Sequence, residues 1–339
     1  MPDGAGGDNQ VPMHLYCTLF DRNYLTRGLA LHCSLIRHCS DFMLVVLCLD
    51  EVTHDALTTL GLPRIALVSI ESLESTDEDL RKARRNRTPV EYYFTCKPVL
   101  MTRTLQMFPA SDRVTYLDAD LYYFCSPEQF EKTYADSSVA LTPHGFPSRL
   151  EDRSQYGQYN AGWISVSADA EGRRFLDWWR ARCIEWCRLE VDGDRFGDQK
   201  YLDQVPQLFV NAQSIDYPGA NVAPWNLDDL QLTDSPDGLR VDGVPLIFFH
   251  FHGVRRVIYR MYDSGLYGYG VRLFPVARRN IYHPYFIDLS EAANRLLKLP
   301  PNLKNQLNAG IERSDLRQFL GRIRLALRLI VSRTALVGP

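Results

Sequence analysis

The sequence predicts an α/β protein with a mainly parallel central sheet, and two patterns in its first half support this prediction. Short apolar runs alternate with stretches of helical periodicity, which is the order that produces β-α-β units. Residues 43–49 are all apolar, as is typical of a strand that helices cover on both faces. The 339 residues are enough to bury a substantial core in one large domain or two medium ones.

The predicted elements of the first half follow one another closely. We expect strands at residues 14–20, 42–50, 65–70 and 113–117, and helices at residues 25–39, about 53–60 and about 98–107. Residues 71–88 are polar and are interpreted as a solvated loop. The alternative is a mobile basic lip over an anionic ligand, formed by Arg81, Lys82, Arg84, Arg85 and Arg87.

The second half predicts strands at residues 139–143, 159–167 and 246–252. A helix between them carries aromatic side chains that we expect in the core rather than on a ligand platform, namely Phe175, Trp178, Trp179 and Trp186. Residues 314–337 predict a further helix with an apolar face and an arginine face, capped by Ser314. Such a helix either lies in an anionic membrane interface or docks on the domain.

Composition and charge exclude several classes of protein. With 38 basic and 41 acidic residues the net charge is −3, which argues against a nucleic-acid-binding protein. No apolar run approaches the ~20 residues of a membrane-spanning helix, and the first 12 residues lack the apolar core of a signal peptide. The eight cysteines, Cys183 and Cys187 included, lack zinc-site spacing and indicate buried thiols in a reducing compartment. We expect a cytoplasmic protein, peripheral on the inner face of the cell membrane if the terminal helix binds there.

Two carboxylates mark the strongest candidate site. Asp118 and Asp120 follow the apolar strand at residues 113–117, where a buried strand end offers them no packing role. Ligands bind at the carboxyl ends of strands in open α/β sheets, and side chains two residues apart on a strand point the same way. Because carboxylates this close repel each other unless a cation neutralises them, the pair indicates a Mg²⁺ or Mn²⁺ site.

Three weaker signals accompany the acidic pair. His250 and His252 share one face of the strand predicted at residues 246–252, which favours a ligand or phosphate contact over two buried core histidines. Gly162, within Tyr-Asn-Ala-Gly-Trp, indicates close approach of a ligand or of another backbone segment. Asp198, within Gly-Asp-Gln-Lys, is either part of a site or simply the N-cap of a short helix.

Taken in order, these four segments resemble the GT-A-fold glycosyltransferases of family 8, which include bacterial glycosyltransferases and glycogenin. That family carries a strand ending in Tyr-Leu-Asp-Ala-Asp, an Asn-x-Gly strand, an Asp-Gln pair and a late His-x-x-Gly segment. The matching residues here are 116–120, 160–162, 198–199 and 250–253. The resemblance implies a Rossmann-like nucleotide-diphospho-sugar transferase domain at residues 14–260, after a disordered tail at residues 1–13. A C-terminal helical extension would follow at residues 261–339.

The resemblance also implies roles for the matched residues. Asp118, Asp120 and His250 would hold a divalent metal, Mn²⁺ or Mg²⁺, with His252 as a competing ligand. Asp118 would also contact the donor. The other contacts to the donor would come from Thr18, Phe20, Tyr24, Lys97, Asn160, Ala161, Gly162, Gly253 and Arg256.

The pair Asp198 and Gln199 would lie beneath the anomeric carbon of the donor sugar. The family's Lys-Pro-Trp after the late glycine is absent, and Arg256 followed by Val-Ile stands in its place. An arginine still pairs well with a diphosphate, so this departure marks a divergent member of the family.

The implied function is metal-dependent transfer of a sugar from a nucleotide-diphosphate donor, a UDP-hexose by family usage, with retention at the anomeric carbon. The acceptor would be a cell-envelope glycan or a lipid-linked sugar, with an anionic membrane surface as a partner of the terminal helix. One alternative is a haloacid-dehalogenase-like phosphatase, whose Asp-x-Asp pair normally comes earlier in the domain. The other is a non-catalytic nucleotide-sugar-binding or membrane-associated scaffold of the same fold.

Overall fold

The computed structural model describes residues 14–258, 261–309, 325–326 and 328–337. The tail predicted at residues 1–13 lies outside the described residues, as does most of the terminal helix predicted at residues 314–337. Among the described residues, no helix is both long enough and apolar enough to cross a membrane.

The first half alternates strands and helices in the predicted order. Its elements are β1 (His14–Phe20), α1 (Leu25–His38), β2 (Phe42–Cys48), α2 (Glu51–Leu60), β3 (Ile65–Ser69), α3 (Ile70–Ser75), α4 (Glu78–Ala83), α5 (Pro89–Met107) and β4 (Arg113–Leu117).

The second half adds the remaining strands of the main sheet and several small antiparallel pairs. In chain order these elements are β5 (Leu121–Tyr123), α6 (Glu128–Glu131), β6 (Val139–Pro143), β7 (Tyr159–Ser167), α7 (Ala170–Glu185), α8 (Val205–Leu208), β8 (Ala212–Ser214), β9 (Leu232–Ser235), β10 (Gly238–Val241), β11 (Val244–Pro245), β12 (Phe248–His250), β13 (Arg255–Ile258), β14 (Met261–Asp263), α9 (Pro275–Ala277), α10 (His283–Leu296), α11 (Pro301–Ala309) and β15 (Ala335–Val337).

Seven strands form the central sheet in the spatial order β3-β2-β1-β4-β7-β6-β8. All neighbours are parallel except that β7 runs antiparallel to both β4 and β6, which confirms the predicted mainly parallel sheet. Because β7 is reversed, its beginning lies beside the end of β4, and the Asp118 amide donates to the Gly162 carbonyl at 2.8 Å. This reversal brings two of the predicted segments together.

A second, two-stranded sheet completes the edge of the fold where the acidic pair lies. Strands β5 and β12 pair antiparallel, with His250 opposite Leu121. The Phe251 amide donates to the Asp120 carbonyl at 2.9 Å. The pairing therefore holds the segment that carries His250 and His252 against the residues that follow β4.

The core covers both faces of the central sheet. Along β2, Val45 and Leu47 belong to one apolar cluster, together with Trp179 of α7. Leu44 and Val46 belong to the cluster on the other face. Residues of both clusters are almost fully buried, which explains why the sequence of β2 is apolar without alternation.

Two predictions for the region between β3 and β4 were wrong. Residues 71–88 are largely helical rather than a loop, because Ser69 and Asp77 accept hydrogen bonds from the amides of Ser72 and Leu80 and so cap α3 and α4. Helix α5 begins at Pro89 rather than at residue 98, because Thr88 and Glu91 form a capping box. Pro98 lies inside this helix, although proline normally ends helices.

The C-terminal region differs from its prediction in two places. Strand β12 is shorter than the predicted strand at residues 246–252, so His252 lies in the turn that follows it. The predicted terminal helix does not extend to residue 337, because Ala335–Val337 pairs with β14 as strand β15. Residues 325–326 and 328–331 are helical, and Leu329 is buried against Val257.

The helices after residue 261 pack on the first half of the chain. Asp288 of α10 is buried and accepts hydrogen bonds from Arg37 of α1, at 3.1 Å, and from the Tyr122 hydroxyl, at 2.8 Å. Tyr285 of the same helix stacks on Phe251, with ring centroids 3.7 Å apart. These contacts tie α10 to the elements that carry the acidic and histidine segments.

Candidate active site

A cleft of about 630 Å³ opens at the carboxyl ends of β1 and β4. The beginning of β7 and the end of β12 reach the same edge of the sheet, so the four sequence-predicted segments converge there. The predicted site residues that line the cleft are Phe20, Tyr24, Lys97, Asp118, Asp120, Asn160, Ala161, Gly162, Asp198, Gln199, His250 and His252.

Three predicted site residues do not line this cleft. Thr18 is fully buried within β1, and its hydroxyl has no hydrogen-bond partner among the described residues. Gly253 occupies a turn with φ +76°, which favours glycine for backbone reasons. Arg256 is exposed on β13, opposite Tyr262 of β14, because the chain turns away from the cleft after His252.

The basic residues at positions 81–87 also lie outside the cleft. Arg84 pairs with Glu74 at 2.9 Å, and Lys82 pairs with Glu78 at 3.1 Å on an exposed surface. Arg87 donates to the carbonyls of Cys183 and Ile184 at the end of α7. These contacts favour structural and solvated roles over a basic lip.

Asp118, Asp120 and His250 form the cluster at the centre of the cleft, with one potential ligand atom of each within 4.8 Å of the others. His250 Nε2 lies 3.2 Å from Asp120 Oδ1 and 3.9 Å from Asp118 Oδ2. His252 lines the cleft, but it lies outside this cluster. The geometry therefore selects His250 as the histidine that faces the acidic pair.

The electrostatics of the cluster link Asp120 to His250. Burial alone would raise the pKa of Asp120, but the adjacent imidazole lowers it well below its ordinary value. Burial alone would lower the pKa of His250, but the negative charge of Asp120 raises it. Each group thus shifts the pKa of the other against the effect of burial.

Gly162 leaves the space that the cluster occupies. A Cβ atom at this position would lie 2.7 Å from His250 Cε1 and 2.9 Å from Asp118 Oδ2. Both distances are shorter than real Cβ contacts, so any side chain would displace the candidate ligands. The glycine predicted to mark a close approach therefore lies directly against the acidic and imidazole groups.

Two asparagines orient the His250 ring. Asn160 Nδ2 donates to His250 Nδ1 at 2.9 Å and to Asn221 Oδ1 at 2.7 Å, while Asn160 Oδ1 accepts from the Gly162 amide at 2.9 Å. Asn221 Nδ2 donates to the Pro143 carbonyl at 2.8 Å. Because backbone amides only donate and carbonyls only accept, both side-chain amides are fixed, and the proton of the neutral ring lies on Nε2.

The donor set suits a divalent cation. Carboxylate oxygens and an imidazole nitrogen are ligands of Mn²⁺, and the carboxylates alone suit Mg²⁺. Asp118 and Asp120 can bind directly, whereas His250 Nε2 first has to lose its proton.

Lys97 of α5 is a fully buried ammonium group that joins two carboxylates. Its Nζ lies 3.3 Å from Asp118 Oδ1, 3.1 Å from Asp198 Oδ2 and 3.1 Å from the Ala161 carbonyl. Burial alone would lower the pKa of Lys97, but the two carboxylates raise it above its ordinary value. The contact with the Ala161 carbonyl is a hydrogen bond, whereas the two carboxylates hold the ammonium group as ion-pair partners, and Asp198 Oδ2 has no hydrogen-bond partner among the described residues.

Asp198 and Gln199 lie at the opposite side of Lys97 from the acidic pair. Burial, reinforced by Asp118, raises the pKa of Asp198, and Lys97 limits the rise. Asp198 does not act as an N-cap, since the short helix at residues 200–204 has no side-chain cap. Gln199 is held by the Tyr156 carbonyl at 2.9 Å and the Ala161 amide at 3.3 Å.

Several cleft residues escaped the sequence analysis because loops bring them there. Trp225 lies in the segment between β8 and β9, and His144 follows β6; both line the cleft. Asn221 of the same segment does not line the cleft, but it accepts a hydrogen bond from Asn160. Trp225 lies 5.5 Å from His250 and 5.3 Å from His144, measured between ring centroids. Burial lowers the pKa of His144 to about 3. The one available signal was Trp225 itself, a large aromatic residue in a loop that contains Pro218, Gly219 and Pro224.

Comparisons with known proteins identify relatives and a fold. No protein-family profile matches the chain. YfnF of Bacillus subtilis (strain 168), an uncharacterized protein, is 37% identical over 252 residues, which cover 71% of this chain and 82% of YfnF. YfnD of the same strain, also uncharacterized, is 29% identical over 278 residues, covering 81% of this chain and 88% of YfnD.

A similar solved structure is the galactosyltransferase LgtC in complex with donor and acceptor sugar analogs. It matches with a TM-score of 0.54 at 17% identity, covering 86% of this chain and 99% of LgtC. This similarity confirms the predicted GT-A fold, with its mainly parallel central sheet and C-terminal helices. By its identity to YfnF over most of both chains, the protein belongs to the YfnF family.

Proposed function

We propose that the protein is a metal-dependent glycosyltransferase that moves a sugar from a nucleotide-diphosphate donor to an acceptor hydroxyl. The supporting observation is the cluster of Asp118, Asp120 and His250 at the carboxyl edge of a GT-A sheet, in which Asp120 and His250 are buried and Asp118 is partly exposed. The acidic pair follows the fourth strand of this fold, which favours sugar transfer over the phosphatase alternative.

In this proposal Asp118, Asp120 and His250 hold Mn²⁺ or Mg²⁺, which supplies Lewis-acid stabilisation of the departing diphosphate. Phe20 and Tyr24, at the end of β1, offer aromatic surface for the nucleotide base. Asn160, Ala161 and Gly162 line the space for the sugar.

Asp198 and Gln199 face the same space from the other side, beneath the proposed position of the anomeric carbon. Lys97 pairs with Asp198, and Gln199 is neutral, so neither side chain is a strong nucleophile. This arrangement favours attack by the acceptor on the leaving-group side, with retention of configuration. A UDP-hexose donor and membership of glycosyltransferase family 8 belong to the same proposal.

The test is turnover of a panel of UDP-sugars with Mn²⁺ by the wild type and by Asp120→Asn. We expect donor hydrolysis or transfer by the wild type and a loss of metal-dependent turnover in a folded Asp120→Asn variant. Asp136→Asn makes the same charge change at an exposed position outside the cleft and serves as the control. Near-normal activity of Asp120→Asn would contradict the metal assignment, and binding without turnover would favour the scaffold alternative.

We further propose that the acceptor is a cell-envelope glycan or a lipid-linked sugar, and that the protein binds the membrane surface peripherally. Most of the arginine-rich segment behind this proposal lies outside the described residues. Within them, Arg328 and Arg333 are exposed beside Ile330 and Val331, whose exposed fractions are 53% and 84%. Exposed apolar side chains next to cations are typical of a helix that lies on an anionic membrane.

A further inference from the structure

The outer part of the cleft is lined by aromatic rings that the proposed donor chemistry does not use. All of them are partly exposed, in contrast to the buried acidic cluster below. We call this set the aromatic rim: Phe94, Phe146, Tyr156, Phe196 and Tyr269.

The aromatic rim has two walls. On one wall, Tyr156 and Phe196 pack with ring centroids 4.7 Å apart. On the other, Trp225 supports both Phe146 and Tyr269, at 6.1 Å and 6.0 Å between centroids. Trp225 also contacts His250 at 5.5 Å, so this wall is continuous with the acidic cluster. Both walls line the same cleft as the acidic cluster, so a molecule that contacts either wall lies in the cleft that holds the proposed reacting centre.

Arg153 is the charged residue of this outer part. Its guanidinium carbon lies 5.9 Å from the centre of the Tyr156 ring. Its charge also acts on the other wall, where burial raises the pKa of Tyr269 and Arg153 opposes the rise. The guanidinium is therefore within electrostatic reach of both walls.

Arg153 differs from Lys97, the other lysine or arginine that lines the cleft in the described part of the chain. Lys97 is buried and engaged by Asp118 and Asp198. Arg153 is half-buried, and no carboxylate among the described residues lies within 4.0 Å of its guanidinium. An arginine next to aromatic rings in a cleft, without an internal counter-ion, is well suited to bind an anionic ligand from solution.

We propose that the aromatic rim is the acceptor subsite and that the acceptor carries a carboxylate or phosphate group that Arg153 binds. This inference rests on the proposed glycosyltransferase function. The apolar faces of a sugar ring pack between the two aromatic walls, and the guanidinium fork pairs with the two oxygens of the anion. The carboxylates of the acidic cluster would repel the same group, so the anion is directed outward and a hydroxyl inward.

The experiment measures binding of matched sugars to the full-length protein with saturating UDP and Mn²⁺. The probes are methyl glycosides of glucose, galactose and N-acetylglucosamine, each beside its uronic acid and its 6-phosphate. Titrations followed by saturation-transfer NMR give the affinity of each compound. The proteins are the wild type, Arg153→Gln, Arg153→Lys and the control Arg85→Gln, which removes one charge from an exposed arginine outside the cleft.

We expect at least one anionic sugar to bind the wild type about 10- to 100-fold more tightly than its neutral partner, the range for a charge-assisted hydrogen-bond pair. Arg153→Gln should abolish this preference, Arg153→Lys should keep part of it, and Arg85→Gln should keep all of it. A preference for the uronic acid or for the phosphate then identifies the anionic group.

Three results would overturn the inference. One is that no anionic sugar binds better than its neutral partner, and another is that the preference persists in Arg153→Gln. The third is a loss of UDP affinity in Arg153→Gln, which would indicate that the guanidinium binds the donor rather than the acceptor. Metal-dependent UDP binding by the wild type, measured without any acceptor, separates these results from a failure of the proposed function.

Discussion

At the scale of single residues, Lys97 determines how the buried carboxylates are held. The resemblance to family 8 enzymes implied that this lysine contacts the donor. In the structure Lys97 lines the cleft, donates to the Ala161 carbonyl and forms ion pairs with Asp118 and Asp198. Lys97 therefore links the proposed metal ligand Asp118 to Asp198, and its contact with the donor stays a prediction.

Removing this cation should be costly. In Lys97→Met, Asp118 and Asp198 lose a fully buried partner, and we expect the free energy of unfolding to fall by about 3–5 kcal/mol. Urea denaturation measures the loss. The double variant Lys97→Met/Asp198→Asn should recover part of it, because the second change removes one of the unpaired charges. A free energy of unfolding of Lys97→Met within about 1 kcal/mol of the wild-type value would contradict the importance of the ion pair.

Sequence reasoning at this scale succeeded where a residue's position on a strand decides its environment. Asp118 and Asp120 follow a buried strand, and His250 ends another, so their convergence at one sheet edge was predictable. Trp225 reaches the same cleft through a loop, and Asn221 of that loop contacts Asn160, so both contacts depend on packing between distant segments. No local pattern encodes such contacts, and the sequence analysis missed both residues.

At the scale of elements, the two short helices between β3 and α5, which are α3 and α4, pack against α5, and α4 also packs against α7. Asp77 caps α4 by accepting from the Leu80 amide at 2.9 Å, and it also accepts from Arg180 Nε of α7 at 2.7 Å. Burial alone would raise the pKa of Asp77, but Arg180 and the cap hydrogen bond lower it below its ordinary value. The Asp77 carboxylate thus caps α4 and also links α4 to α7.

The Asp77→Asn variant separates these two roles, because asparagine also caps helices well. We expect a loss of about 1 kcal/mol in the free energy of unfolding, since Arg180 is partly exposed and solvent screens the pair. A lowered pKa stabilises the fold at neutral pH, and that contribution is lost as the pH falls through the lowered value. The difference between wild type and variant should therefore be full at pH 7 and shrink below about pH 4.

Thermal or urea unfolding from pH 7 to pH 3 measures this difference. Glu185→Gln is the matched control, since Glu185 pairs with Arg182 on an exposed surface and should contribute little. A difference that is constant over the pH range would contradict the assigned ion pair.

The strands were predicted more accurately than the helices for a physical reason. A strand covered on both faces is mostly apolar, so β2, which is apolar throughout, and β1, which is apolar except at His14 and Thr18, were evident from composition alone. Helices α3 and α4 are only six residues each, mostly polar outside one or two buried positions, and they depend on caps rather than on an apolar face. Their sequence looks like a loop until the capping hydrogen bonds are considered.

At the scale of the whole molecule, the fold class was readable from the order of the elements, whereas the role of the C-terminal region was not. The division at residue 260 remains a prediction. The buried Asp288 and Tyr285 of α10 pack against Arg37, Tyr122 and Phe251. This part of the chain therefore stabilises the elements around the cleft, which the polarity of its sequence did not indicate.

The proposed membrane association is also a property of the whole molecule, because the net charge of −3 opposes binding to an anionic surface. Only a local basic and apolar patch can overcome this repulsion. We expect the full-length protein to float with vesicles that contain phosphatidylglycerol, and the variant Ile330→Ser/Val331→Ser to float much less.

The matched control for this flotation assay is Val210→Ser. Val210 is an apolar side chain with an exposed fraction of 93%, and it does not line the cleft. It should float like the wild type. Equal flotation of all three proteins, or none by the wild type, would remove the membrane proposal while leaving the active-site proposal intact.

The most direct test of the central claim is calorimetric titration of UDP into the full-length protein, with and without Mn²⁺. We predict binding that requires Mn²⁺ in the wild type and in Asp136→Asn, and that is lost in a folded Asp120→Asn. This result would indicate that the acidic cluster binds a nucleotide diphosphate through a metal ion. UDP binding that is equal with and without Mn²⁺, or equal in wild type and Asp120→Asn, would contradict the claim.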